Sequence, residues 1–226
     1  MIAQGPRFLY LHGFASGPES GKGRAIAQHY AAQGIDVRRL DLRQPSMEHL
    51  RLSAMIAHVK HEMGGARDRA VLFGSSLGGL TACRVAEDDP RVAALVLLAP
   101  AFRMMEGWRL RIGEDAWRSW ETTGWHATTD YAKGGMAQVD FGFAEDVARI
   151  DAAGGGWPDV RVPTLIVHGI DDDVVSVDLS RTWAAGKRHV RLVEVADGHE
   201  LGASVTQIRA EADRHLSGFL NLPLDV

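Results

Sequence analysis

Cysteine is almost missing from this sequence, because Cys83 is the only one among 226 residues. A single thiol cannot form a disulfide within the chain, and such sparse use of cysteine fits a reducing compartment. Residues 1–6 also lack the basic segment and apolar core that mark a signal peptide. These absences together predict a cytoplasmic protein.

Long hydrophobic runs and an excess of one charge are missing too. The longest apolar stretch, residues 92–101, contains a proline and is too short to span a bilayer. Lys and Arg number 25 against 29 Asp and Glu, and no basic run marks a surface for nucleic acid or anionic membrane. We therefore expect no membrane span and no nucleic-acid partner. The length suits one large domain, 1–226, and the net charge of −4 suits any small-molecule partner.

Short apolar runs bounded by glycine or proline are present instead. Four of them predict strands buried on both faces, as in a parallel sheet, at 8–11, 70–73, 92–99 and 164–167. Two weaker runs, 37–42 and 190–195, mix apolar with charged residues and predict strands nearer the sheet edges. Helical spacing separates the runs, over 22–33, 52–63, 77–88 and 201–219. This alternation predicts an α/β fold with an open, mostly parallel sheet and helices on both faces.

Residues 101–140 interrupt the alternation. They hold four of the six tryptophans and several glycines, and they predict short helices at about 103–121 followed by a hairpin turning at Lys133-Gly134-Gly135. An insertion of this length in a compact domain is usually functional rather than a plain loop. Its tryptophans and Met104 and Met105 either line a pocket or pack the insertion onto the sheet. For any single tryptophan, packing is the expectation.

The stretch Gly74-Ser75-Ser76-Leu77-Gly78 leaves a predicted buried strand and opens a predicted helix. It matches G-x-S-x-G, in which a nucleophilic serine occupies a sharp strand-to-helix turn with its hydroxyl exposed. The residues two before and two after that serine approach each other closely, so both must lack a bulky side chain. Gly74 and Gly78 meet this need only for Ser76. The alternative is a tight structural turn without chemistry.

A serine nucleophile needs a base, and the base needs an orienting acid. Three aspartates, Asp171 to Asp173, follow the fourth apolar run, and His199 follows the last predicted strand. The order serine, acid, histidine is the one that accompanies this type of turn. His168 is expected only to turn the chain after its strand. The oxyanion of the reaction needs two backbone N–H groups, for which we predict Leu77 and Phe14.

These segments resemble the α/β-hydrolase superfamily, and the resemblance covers residues 8–219. Within that superfamily, the sequence is similar to small bacterial esterases of the YqiA type and to palmitoyl-protein thioesterase-like hydrolases. The motifs that carry it are L-Y-L-H-G-F-A-S (9–16), G-S-S-L-G-G (74–79), H-G-I-D-D-D-V-V (168–175) and D-G-H (197–199). The resemblance implies a six-stranded sheet, since the first two strands of larger members have no counterpart here. It also selects Asp172 as the triad acid and places a cap at about 101–140.

The implied activity is that of a carboxylesterase-type serine hydrolase acting on small or medium acyl esters. Ser76 would attack the acyl carbonyl, His199 would accept its proton, and Asp172 would orient the imidazole. The amides of Phe14 and Leu77 would hold the oxyanion of the intermediate that leads to an acyl-enzyme.

Two other functions remain open on the sequence alone. An acyl-thioesterase, acting on acyl-CoA or acyl-protein, would use the same three residues. A non-catalytic binding protein with this fold would usually lack one member of the triad. In both enzymatic cases the partner is a small-molecule ester or thioester, and the resemblance implies no metal and no organic cofactor.

Overall fold

The computed structural model describes residues 5–153 and 155–220. The predicted domain, 1–226, therefore includes residues 1–4, Gly154 and residues 221–226, which lie outside the described part. Eight strands are described: β1 (Arg7–Leu11), β2 (Val37–Leu40), β3 (Ala70–Ser75), β4 (Val92–Leu98), β5 (Trp125–Thr129), β6 (Met136–Asp140), β7 (Thr164–Gly169) and β8 (Val190–Val195). The helices are α1 (Gly21–Ala31), α2 (Leu52–Glu62), α3 (Leu77–Ala86), α4 (Met104–Ile112), α5 (Glu114–Thr123), α6 (Gly142–Ala153), α7 (Val177–Ala184) and α8 (Val205–Leu220).

Six strands form one parallel sheet in the order β2-β1-β3-β4-β7-β8. The three central strands, β3, β4 and β7, are buried along their whole length, which explains their almost purely apolar sequences. The two strands with mixed sequences, β2 and β8, lie at the edges, as predicted. The predicted fold class is confirmed.

Each face of the sheet has its own hydrophobic core, because successive side chains of a strand point to opposite faces. In β1, Phe8 and Tyr10 pack with α1 and α8, whereas Leu9 and Leu11 pack with α2, α3, α6 and α7. Cys83 lies in the second of these cores and is fully buried. In the described part of the chain, no helix is both long and apolar enough to cross a membrane.

The C-terminal helix differs from its prediction, since α8 begins at Val205 rather than at Leu201. Residues 201–204 form a turn instead. The N–H and the hydroxyl of Ser204 donate to Asp197 Oδ2 at 3.0 and 2.9 Å. Asp197 thus accepts from both donors of Ser204, the residue before α8. This contact favours a helix that begins at Val205.

The insertion after β4 contains two short helices, α4 and α5, and an antiparallel hairpin formed by β5 and β6. Two of its four tryptophans, Trp108 and Trp120, are buried and pack it, whereas Trp125 is exposed. Trp120 is fully buried, donates from Nε1 to the carbonyl of Val139 at 3.0 Å, and has its ring 4.9 Å from that of Trp108. Trp108 in turn meets the ring of Phe14 edge-on at 4.7 Å, and this contact joins the insertion to the loop after β1.

A buried ion pair makes a second connection between the insertion and that loop. Asp130, at the end of β5, is held by Arg43 through two hydrogen bonds of 2.5 and 3.1 Å. Arg43 also donates from Nε to the carbonyl of Ser16, and the N–H of Tyr131 donates to Ala15. The hydrogen bonds from Arg43 lower the pKa of Asp130 to about 2.

We predict that Asp130→Asn destabilises the protein by about 3 kcal/mol, because it leaves the guanidinium of Arg43 buried without its charge partner. Chemical denaturation at pH 7 measures this change. Asp159→Asn is the matched control, since Asp159 pairs with Arg161 on the exposed surface and should have a much smaller effect. Equal destabilisation by the two variants would contradict the prediction.

Candidate functional site

Ser76 occupies the turn between β3 and α3 in a backbone conformation that few residues adopt. Its φ is +52° and its ψ is −116°. A non-glycine residue in this region is strained, so the surrounding bonds must hold it there. Its N–H donates to the carbonyl of Leu98 at 2.9 Å, and its own carbonyl accepts from Gly79, Leu80 and Ala101.

The glycines around Ser76 allow three segments of backbone to meet. A Cβ added to Gly74 would lie 2.5 Å from the carbonyl oxygen of Gly78. A Cβ on Gly78 would lie 2.1 Å from the carbonyl oxygen of Leu11. Neither position has room for a side chain. Because Gly78 lacks one, the start of α3 contacts the end of β1 directly.

The structure brings Ser76, His199 and Asp172 into one hydrogen-bonded chain. His199 Nε2 lies 3.1 Å from Ser76 Oγ, and His199 Nδ1 lies 2.8 Å from Asp172 Oδ2. The other two aspartates of the run, Asp171 and Asp173, are exposed and take no part. The three residues come from loops that follow β3, β7 and β8 at the same edge of the sheet, where parallel strands end together.

The carboxylate of Asp172 is fully buried and held by four N–H groups. Oδ1 accepts from the backbone of Val174 at 2.9 Å and of Val175 at 2.8 Å. Oδ2 accepts from His199 and, at 3.1 Å, from His168 Nε2. Burial alone would raise the pKa of Asp172, but these hydrogen bonds outweigh it and hold that pKa well below its usual range.

His168 has a larger part in the site than the turn expected of it. It lies fully buried in β7. Its Nε2 lies 3.1 Å from Asp172 Oδ2 and 2.9 Å from the carbonyl of Val175, so this nitrogen carries a proton. Its Nδ1 is fixed by the hydroxyl of Ser180 at 2.7 Å. The signal available in the sequence was the position of a histidine four residues before the acid in H-G-x-x-D.

Gly169 is a second residue whose part in the site the sequence did not reveal. A Cβ added there would lie 2.1 Å from the carbonyl oxygen of Asp197. The loop that carries His199 therefore rests directly on the end of β7, and the N–H of Asp171 donates to the same carbonyl at 3.2 Å. This contact positions the histidine relative to Asp172.

The two residues predicted to form the oxyanion hole, Phe14 and Leu77, lie in the segments next to Ser76. Leu77 is the first residue of α3, where an N–H has no acceptor within the helix. Phe14 follows Gly13, at which a Cβ would lie 3.3 Å from Ser76 Cβ. Within residues 5–153 and 155–220, neither amide donates a hydrogen bond to the chain. Both N–H groups are therefore free to donate to another acceptor.

His12 holds the loop after β1 through both of its ring nitrogens. Its Nδ1 lies 2.8 Å from the carbonyl of Gly13, and the N–H of Leu42 donates to its Nε2 at 2.9 Å. Because an amide N–H can only donate, Nε2 carries a lone pair and Nδ1 carries the proton. The imidazole thus ties the loop after β1 to the chain after β2.

A cavity of about 1100 Å³ opens over Ser76 and His199. The insertion forms one wall of it, with Met104, Gly107, Trp108 and Leu110. Another part of the lining comes from the loop after β1 and the start of α1. Ser75 also lines the cavity, although it is almost fully buried.

Comparison with protein families decides the affiliation of the chain. The model of the uncharacterised protein family UPF0227 matches residues 7–211. The chain belongs to this family. No curated protein matches the UPF0227 chain in sequence.

Solved structures with the same fold are α/β hydrolases. Alpha/beta hydrolase domain-containing protein 10 from mouse is 18% identical, with a TM-score of 0.73 over 96% of this chain and 92% of its own. Est1E from Butyrivibrio proteoclasticus is 18% identical, with a TM-score of 0.75 over 97% and 90%. The monoacylglycerol lipase of Paleococcus ferrophilus is 16% identical, with a TM-score of 0.74 over 95% and 96%. The UPF0227 chain therefore has the α/β-hydrolase fold.

We predict that Asp172→Asn lowers the melting temperature of this UPF0227 protein at pH 6 and that the deficit shrinks toward pH 3. A carboxylate whose pKa is lowered in the folded state stabilises it above the unfolded pKa of about 3.9. That stability is lost as the pH falls toward the lower folded pKa. Scanning calorimetry of both proteins from pH 6 to pH 3 measures the effect. A deficit that stays constant over this range would contradict it.

Proposed function

We propose that this protein is a serine carboxylic-ester hydrolase of the carboxylesterase type. The observation that carries the proposal is the hydrogen-bonded chain from Ser76 through His199 to Asp172, which ends in the cavity at the serine hydroxyl. A serine with this base and this acid is a nucleophile for acyl transfer.

The first half of the reaction forms an acyl-enzyme. Ser76 Oγ attacks the ester carbonyl while its proton moves to His199 Nε2, and the imidazolium is stabilised by the ionised Asp172. The negative charge on the former carbonyl oxygen is held by the N–H groups of Phe14 and Leu77. When the intermediate collapses, the bond to the alcohol oxygen breaks and His199 Nε2 gives its proton to that oxygen.

The second half consumes water. His199 takes a proton from water, the hydroxyl oxygen attacks the acyl carbon, and the bond to Ser76 Oγ breaks as the proton returns to the serine. The products are one carboxylic acid and one alcohol. Every step uses groups of this chain, and none invokes a metal or an organic cofactor.

The similarity to a monoacylglycerol lipase adds support at the level of the superfamily. The apolar residues that the insertion contributes to the cavity lining favour the acyl group as the part that it binds. Met104, Trp108 and Leu110 offer apolar surface for a small or medium acyl chain. We therefore propose that residues 101–140 act as the cap of a single catalytic domain.

We predict that Ser76→Ala lowers kcat/KM for a short p-nitrophenyl ester by about 10³-fold or more, because the nucleophile is removed. Release of p-nitrophenol measures the rate, and labelling by a fluorophosphonate should disappear in the same variant. Ser75→Ala is the matched control with a much milder effect, since Ser75 does not contact His199. Undiminished turnover by Ser76→Ala would contradict the assignment, and failure of the wild type to label would favour a binding protein without activity.

The same residues would also cleave a thioester, since the acyl-enzyme is identical. Rates on acyl-CoA and on p-nitrophenyl esters of equal chain length, measured in parallel, decide between the two classes. A higher kcat/KM for oxyesters at every chain length supports the carboxylesterase. A higher value for acyl-CoA makes the protein an acyl-thioesterase.

We predict that Gly107→Leu shifts the preference toward shorter acyl chains. Gly107 lines the cavity on α4, and a Cβ added there meets no atom within 4 Å, so the leucine occupies space open to substrate. The variant should fold normally, because leucine favours a helix over glycine by about 1 kcal/mol. The ratio of kcat/KM for decanoyl and acetyl esters should fall about tenfold or more. Ser119→Leu, on the exposed face of α5, is the control and should leave the ratio unchanged.

A further inference from the structure

The part of the cavity lining that comes from the start of α1 contains a positive charge that the proposed reaction does not use. Lys22, in the first turn of α1, lines the cavity and has a side chain only 13% exposed. Its ammonium group has three donors but only two distant contacts. One is the carbonyl of His199 at 3.4 Å, and the other is Glu200 Oε2, also at 3.4 Å. The carboxylates of Glu200, Asp172 and Asp197 also act on this ammonium through space, so its charge is partly compensated although it has no close hydrogen-bond acceptor.

A second unused donor lies in the lining of the same cavity. Tyr10 is 1% exposed and lines the cavity, and its hydroxyl makes no hydrogen bond of ordinary geometry among the described residues, although the hydroxyls of Ser20 and Ser75 lie near enough to lower its pKa. Burial raises the pKa of Tyr10 to about 12, so the phenol keeps its proton at neutral pH. Buried hydroxyl groups without partners are rare in folded proteins, and one beside a binding cavity points to a partner in the ligand.

Glu200 links the two donors. Its negative charge acts on Tyr10, adding to the effect of burial, and on Lys22, where it offsets part of the lowering of the pKa by burial. The carboxylate of Glu200 is therefore close enough to act on both Tyr10 and Lys22. The side chain of Glu200 is, however, 86% exposed and holds Lys22 only loosely, so another carboxylate can take its place.

We propose that Lys22 and Tyr10 form a subsite for a carboxylate carried by the substrate, so that the natural substrate is an ester with one free acid group. The inference rests on the proposed hydrolase function and specifies its substrate class. A single negative charge fits better than the double charge of a phosphate, because the cavity lining also contains Glu19 and Glu200. The ammonium supplies the charge and the phenol supplies a neutral donor.

The position of the subsite is compatible with an acid group on either part of the substrate. Lys22 contacts the backbone of His199, the residue that protonates the leaving alcohol. An acid on the alcohol part and an acid at the far end of the acyl part are both sources of the same carboxylate, and two pairs of substrates separate them.

The experiment compares each charged ester with its neutral methyl ester at one low ionic strength. The acyl-side pair is 4-nitrophenyl hydrogen glutarate and 4-nitrophenyl methyl glutarate. The alcohol-side pair is 4-acetoxybenzoate and methyl 4-acetoxybenzoate. The readout is the ratio of kcat/KM, charged over neutral, in the wild type, Lys22→Met, Lys22→Arg, Glu200→Gln and the matched control Lys133→Met. Lys133 is exposed on the turn between β5 and β6.

We expect Lys22→Met to lower the ratio about tenfold or more in one of the two pairs, as for loss of a hydrogen bond to a charged group. Lys22→Arg should retain most of the ratio, Glu200→Gln should raise it, and Lys133→Met should leave it unchanged. If Lys22 only supports the loop of His199, Lys22→Met slows both members of each pair equally. An unchanged ratio in both pairs, or an equal fall in Lys133→Met, overturns the subsite.

Failure of the proposed function is recognised separately. If the wild type cleaves neither neutral ester in a way that depends on Ser76, the hydrolase assignment is wrong, whatever the ratios. The subsite is then decided by titration calorimetry with glutarate itself. Binding to the wild type that is lost in Lys22→Met and kept in Lys22→Arg supports it. Equal binding to all three proteins, or none to the wild type, overturns it.

Discussion

Asp172 holds a negative charge out of contact with water, and much of the site serves to stabilise that buried carboxylate by hydrogen bonds. Two backbone N–H groups and two imidazoles donate to its oxygens. Since both oxygens are engaged, the carboxylate has one orientation, and this orientation fixes the ring of His199. The ring in turn directs its Nε2 at Ser76 Oγ. The ends of β3, β7 and β8 converge on this one chain of hydrogen bonds.

Close contacts between backbone segments also position the site. At Gly78 and Gly169 the chain passes so near to Leu11 and Asp197 that any side chain would overlap a carbonyl oxygen. These contacts set the positions of the serine turn and of the histidine loop without the help of flexible side chains. The strain at Ser76 persists because four backbone hydrogen bonds, to Leu98 and from Gly79, Leu80 and Ala101, hold the turn in place.

Much of this could be predicted from the sequence because the signals are local. The buried strands are apolar runs, the edge strands are mixed, and the serine turn is flanked by glycines. The start of α8 was not predictable in this way, because it depends on the contact of Ser204 with Asp197. The role of His168 depends likewise on its distance from Asp172 and Ser180 in space. Tyr10 lies in one of the motifs that carry the resemblance, but nothing in the sequence marked it or Lys22 as part of a subsite, because their burial and weak hydrogen bonding exist only in the folded chain.

The ion pair between Arg43 and Asp130 has a wider consequence for how this protein can vary. It binds the hairpin of the insertion to the carbonyls of Ala15 and Ser16, only one or two residues from Phe14. The insertion and the loop beside Ser76 are therefore mechanically coupled. Any lineage that remodels the insertion to admit a new substrate must preserve this junction or rebuild both sides together. Diversity is thus expected to accumulate on the exposed faces of α4 and α5, away from Trp108 and Trp120, which contact Phe14 and the hairpin.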